Sequence, residues 1–213
     1  MLNKEPNPER AKLGFGEAVL SSFKFLNDAG FRPVEQEMTL VRYESPEVFV
    51  NVYHGRASFE LGVEIGRLKH PSEKLTVYDI VAWAGAEKTE GFGQHVAFQV
   101  SSRKGVQEFV PKLAALIKKY AAPLLRGDGA AYDSALEIQS ERAKEYERDV
   151  NLKSVRSKAE SAWHAKDYAQ VIELFDPVRK HLTDVEAKKL AYSEQQVMTA
   201  ESVDSRPPAR RKR

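Results

Sequence analysis

The sequence predicts an α+β protein: a small antiparallel sheet packed with helices, followed by an α-helical hairpin region. Three observations predict it. Residues 58–66 alternate, with Phe59, Leu61, Val63 and Ile65 toward one side and Ser58, Glu60, Gly62, Glu64 and Gly66 toward the other. A period of two marks a strand buried on one face. Residues 104–122 instead space Val106, Phe109, Val110, Leu113, Leu116, Ile117 and Tyr120 as one helical stripe. From 153 to 198 the pattern is helical throughout. The expected organisation is an α+β domain over 1–150, a helical hairpin region over 151–198 and a disordered basic tail over 199–213.

The elements follow in order. Residues 1–12 form a polar lead-in. Phe15, Val19, Phe23 and Leu26 mark one amphipathic helix over 15–29, with Gly30 as its stop. Residues 38–43 alternate as a first strand, and EVFVNVY over 47–53 is rich in β-branched and aromatic residues, as a second strand is. His54-Gly55-Arg56 reads as the hairpin turn into the alternating strand. Thr76 and Asp79 have the spacing of a capping box, opening a short helix through Trp83 that Gly85 ends. Residues 86–94 read as a loop. Asp128 is placed to cap a helix from 129 to about 148, whose second half is highly charged. A last helix is expected from Asp184 to Met198.

Bulk properties narrow the function classes. The chain has 213 residues, 42% of them hydrophobic and 30% charged, enough for a core with a solvated surface. It has no cysteine, which excludes disulfides, thiolate metal sites and a cysteine nucleophile. The polar start lacks the apolar segment of a secretory signal, and no stretch approaches the length of a membrane span. The expected location is therefore the cytoplasm. Net charge is +2, and the tail RPPARRKR holds five cations, so the rest of the chain stands at −3. An acidic body disfavours broad contact with phosphate backbones, and any contact with nucleic acid falls to the basic tail.

Ala159, Trp163, Asp167-Tyr168, Val171 and Phe175 resemble one tetratricopeptide-type helix pair, although alanine stands where that motif prefers glycine and valine where it prefers alanine. Pro177 falls inside the second helix of the pair and is expected to kink it or delay its start. A single repeat cannot bury its own apolar face, so the resemblance implies packing on the N-terminal domain or on a partner. The wider layout resembles small bacterial immunity-type proteins: an N-terminal helix, a meander with a glycine-punctuated strand, a helix ending PLLRGD and a charged helical C-terminus. That resemblance implies stoichiometric binding of a toxin, and the Glu60 and Glu64 face of the alternating strand suits a basic one.

Chemistry is sparse. The histidines 54, 70, 95, 164 and 181 are scattered without metal-ligand spacing, so no metal and no cofactor is expected. Gly14-Phe15-Gly16 follows no strand and has no phosphate-loop continuation. The polar face of the alternating strand holds Glu60 and Glu64, and like-facing strand positions lie about 7 Å apart. Such carboxylates suit either acid/base work at a sugar or pairing with a cation on the next strand. Gly62 and Gly66 leave a side-chain-free groove, for which a helix of the same chain is the expected occupant. The candidate partner-binding residues are Tyr53, His54, Arg56, Glu60, Glu64 and Arg67. The expected function is a non-catalytic protein-binding module. A hydrolase-type enzyme using Glu60 and Glu64, and a helical peptide-binding adaptor, are the alternatives.

Overall fold

The computed structural model describes residues 8–90 and 98–204. The basic run from Arg206 and part of the 86–94 loop lie outside the described residues. Contacts divide the chain into two units, Met1–Glu141 and Arg142–Arg213.

The first unit is the expected sheet and helices. A short turn of helix, α1 (Pro8–Ala11), precedes α2 (Phe15–Ser22) and α3 (Phe25–Asp28). Phe15, Val19, Phe23 and Leu26 are all buried, as the stripe predicts. The single helix expected over 15–29 is nevertheless two, broken at Phe23-Lys24. Gly30, at φ +86°, takes the left-handed geometry that stops α3. Five strands then run antiparallel in the order β1-β2-β3-β4-β5: β1 (Arg32–Gln36), β2 (Leu40–Glu44), β3 (Val48–His54), β4 (Glu60–Arg67) and β5 (His70–Thr76). A two-residue β6 (Phe98–Gln99) pairs with the start of β4, beyond the end of β5.

Register assigns the faces. Val63 pairs with Val52, and Ile65 with Val50. These four, with Leu61 and Val41, are fully buried in the main core. Against this face lie α2, α4 (Val77–Trp83) and α5 (Arg103–Tyr120). The capping box that opens α4 is formed: Asp79 Oδ2 accepts from the Thr76 amide at 2.8 Å, and Thr76 Oγ1 accepts from the Asp79 amide at 3.4 Å. Ser102 caps α5, accepting from the Gly105 amide at 3.1 Å. After α6 (Ala122–Leu125), Asp128 caps the next helix through the Ala131 amide at 3.1 Å.

That helix, α7 (Gly129–His164), begins in the first unit and ends in the second. The end expected near Arg148 is absent. A run of mixed charge solvates a helix without breaking it, and neither glycine nor proline occurs between 130 and 164. In the second unit, Lys166 adopts φ +59° and Asp167 donates its amide to the Ala162 carbonyl at 2.9 Å, closing α7. Asp167 then caps α8 (Tyr168–Phe175) through the Gln170 amide at 3.1 Å. Pro177 does not lie inside α8. The α-helix stops two residues before it, and Asp176–His181 tighten into a 3-10 turn. Thr183 and Glu186 cap α9 (Asp184–Asp204) reciprocally, and α9 extends six residues past Met198, into the stretch expected to be disordered. Ala159, Ala162, Val171, Phe175 and Leu190 form the small core of this unit.

Candidate functional site

The sheet's other face carries Glu60, Gly62, Glu64 and Gly66 of β4 beside Tyr53, Asn51 and Phe49 of β3. Their pairings are Gly62 with Tyr53, Glu64 with Asn51 and Gly66 with Phe49. On β2, Arg42 pairs with Asn51, and on β5, Lys74 pairs with Gly66. A polar ladder crosses these four strands. Arg42 Nε donates to Glu44 Oε1 at 2.7 Å, and its Nη1 donates to Asn51 Oδ1 at 3.2 Å. Asn51 Nδ2 donates to Glu64 Oε2 at 3.4 Å, and Lys74 Nζ lies 3.1 Å from the same oxygen. Three inter-strand steps make the ladder about 14 Å wide. Each exposed ion pair contributes about 0–1 kcal/mol. Asn51, only 8% exposed, joins the two halves of the ladder and has both ends of its amide satisfied.

The glycines of β4 make no groove. A Cβ at Gly62 would stand 2.2 Å from the Tyr53 ring, and one at Gly66 would stand 2.4 Å from the Phe49 ring. The occupant of each gap is therefore an aromatic side chain of β3 rather than a helix of the same chain. Phe49 is buried although it faces away from the main core, and the Arg42 guanidinium lies over its ring at 4.3 Å. Tyr53 is half-buried. Burial, reinforced by Glu60 and Glu64, pushes its hydroxyl up to about 12, so the phenol remains a neutral donor between two carboxylates.

Gly62 stands between the two glutamates, so they are two like-facing steps apart along β4. Their Cα atoms are about 13 Å apart rather than 7 Å. Glu64 is held by Asn51 and Lys74. Glycoside hydrolysis needs two carboxylates that converge on one bond, whereas these two leave the strand at positions about 13 Å apart.

Three of the six candidate residues, His54, Arg56 and Arg67, lie off the face. His54 is 1% exposed and belongs to the core-facing set, paired with Leu61. Its Nε2 lies 2.7 Å from the Val100 carbonyl and its Nδ1 lies 3.2 Å from Arg10 Nη1. Arg10 can only donate, so Nδ1 accepts and Nε2 carries the proton. Burial, reinforced by the Arg10 charge, lowers the His54 pKa below the ordinary 6.5. Arg10 also donates to the carbonyls of Gly55 and Arg56 and lies 4.6 Å over the Phe59 ring. Phe59, expected in the core, is 37% exposed at φ +55°. It closes the hairpin loop, donating to the Gly55 carbonyl at 3.1 Å, and the buried alternation starts only at Leu61. Arg67, at the far end of β4, is paired with Glu73 and lies 5.0 Å over the Tyr132 ring. Arg56 stays at the surface, 3.6 Å from Glu37.

Tyr53, Glu60 and Glu64 therefore share one face, with Arg56 in the adjoining loop. Sequence patterning missed Arg10, Arg42, Asn51 and Lys74, whose roles come from register and from a contact 44 residues away in sequence. Among the described residues, no helix is long and apolar enough to cross a membrane. No protein-family model, no curated protein and no solved structure matches this chain, so its function rests on the geometry of its own surfaces.

Proposed function

We propose that the chain is a non-catalytic protein-binding protein acting through the outward face of its sheet, in the manner of a cytoplasmic immunity-type protein that neutralises a basic toxin. One observation carries this reading. Arg42, Asn51, Glu64 and Lys74 are linked side chain to side chain across four strands of the face. A lattice of this kind presents a fixed pattern of charge for recognition, because its side chains are ordered before any partner arrives. It also leaves Glu64 committed to Asn51 and Lys74, unlike a general base that must be free to take a proton. Glu60 and Tyr53 supply the rim, one a carboxylate and one a neutral hydroxyl on an aromatic body.

The test uses the full chain as bait in extracts of its own cells. The expected result is a stoichiometric basic protein whose association slows about tenfold with Glu60→Lys, with weaker salt dependence. Glu64→Gln keeps the Asn51 hydrogen bond and serves as the milder variant. A partner indifferent to both substitutions would remove the face from the interface. Turnover of a glycoside that Glu64→Gln abolishes would establish the enzyme instead.

A further inference from the structure

The second unit carries a surface that the sheet face does not explain. On α9, Val185, Lys188, Lys189 and Tyr192 are spaced i, i+3, i+4 and i+7, and so share one side of the helix. That side is not the one that closes the unit's core, which is the side of Leu190 and Ser193. Val185 and Tyr192 remain 64% and 45% exposed. Opposite them stand Trp163 from the last turn of α7 and Tyr168 from the first turn of α8.

The three rings form a closed triad. Trp163 and Tyr192 have centroids 5.5 Å apart, Tyr168 and Tyr192 are 5.6 Å apart, and Trp163 and Tyr168 are 5.9 Å apart. Every pair meets edge to face, at 68–72°. They border an open cleft of about 540 Å³, a size typical of ligand sites. Its basic lining is Lys166, Lys188, Lys189 and His164, and the nearby Glu160 carboxylate lies 3.1 Å from His164. Lys189 is held by Glu160. Lys166 and Lys188 make no ion pair among the described residues.

We propose that this cleft binds an acidic peptide segment of a partner protein. One apolar side chain of the segment seats against Trp163, Tyr168 and Tyr192, and its carboxylates face Lys166 and Lys188. Charge complementarity selects the occupant. An apolar floor rimmed by unpaired ammonium groups favours a ligand with an apolar anchor and neighbouring negative charge. A nucleic-acid strand fits less well. The rings turn their edges into one another instead of offering parallel faces for bases. Residues 142–204 also hold eleven Lys and Arg against twelve Asp and Glu, so a polyanion leaving the cleft meets as many carboxylates as cations. The site uses none of the residues of the sheet face.

The experiment selects a displayed library of random dodecapeptides on the immobilised full chain. Enriched sequences are expected to be net acidic and to contain Leu, Phe or Trp. The best of them, synthesised and titrated, should lose about tenfold in affinity with Tyr192→Ala and about fivefold with Lys188→Glu. Lys166→Asn removes a charge while tolerating the left-handed backbone there, and should lose several-fold. Added salt should weaken binding. Glu60→Lys, on the sheet face, should leave the peptide's affinity unchanged, which separates the two surfaces. Circular dichroism of each variant confirms that the helices persist. The proposal fails if selection yields basic or uncharged sequences, or nothing beyond what Tyr192→Ala retains. It also fails if Lys188→Glu changes affinity less than twofold, or if oligothymidylate displaces the selected peptide from the cleft.

Discussion

The unit ending at Glu141 and the unit beginning at Arg142 bury their apolar residues on different scales. The first layers α2, α4 and α5 on a sheet and packs Phe15, Tyr43, Leu61, Ile65, Ile80, Leu113 and Tyr132 into one continuous core. The second closes three helical segments around five buried apolar residues. It ties their outer faces with ion pairs, among them Arg156–Glu186 at 2.8 Å, Arg179–Glu194 and Lys189–Glu160. Exposed pairs contribute little each, so they do not replace missing core. Loss of one core side chain is shared among many neighbours in the first unit and among few in the second.

The largest test of that difference is Phe175→Ala. Removing a buried phenylalanine costs about 3–5 kcal/mol, a large part of what a five-residue core can supply. Hydrogen exchange should show α8 and α9 losing protection while β3 and β4 keep theirs. Simultaneous loss in both units would show that they melt as one. Leu61→Ala is the counterpart in the larger core, at about 2–5 kcal/mol by chemical denaturation. Its effect should fall on the amides of the sheet, and a change below about 0.5 kcal/mol would contradict its complete burial.

The smallest effect is a dependence on acid that belongs to the first unit. His54 is neutral in the fold, with Arg10 facing its Nδ1. Its pKa is lowered from 6.5, so the unfolded chain binds the proton more readily. The contribution is fully present above about pH 6.5 and is lost as pH falls through the folded pKa. Denaturation midpoints measured between pH 7.5 and 5 should decline for the wild type. His54→Gln should flatten that part of the decline, and an unchanged slope would show that other groups govern it.

Much of this architecture was legible because burial imposes a period. The Leu61, Val63 and Ile65 alternation, the α5 stripe and the Thr76–Asp79 box all follow from local rules and are present in the structure. The missed strands lack that signal. All five residues of β1 are exposed and one is Pro33, which suits an edge strand and hides it in the sequence. In β5, HPSEKLT buries only Leu75. The break after Ser22 leaves no trace either, since Phe23 keeps the helical register of buried residues. At the candidate site, the sequence predicts a cation opposite Glu64 as a type of contact, but the choice of Lys74 comes from the β4–β5 register. Arg10 lies in what reads as polar lead-in, and only the folded chain brings it to His54.

The rings of Tyr53 and Phe49 over Gly62 and Gly66 carry a consequence for how this sequence can drift. Any side chain at 62 or 66 would have to evict the ring that fills its place. A smaller residue at 53 or 49 would leave bare backbone beneath it. Positions 53 and 62, and likewise 49 and 66, therefore behave as single units of mutation, and tolerated change at one member requires a compensating change at the other. In distant relatives these pairs should covary, marking the β3–β4 hairpin even where the charged residues around it have been replaced.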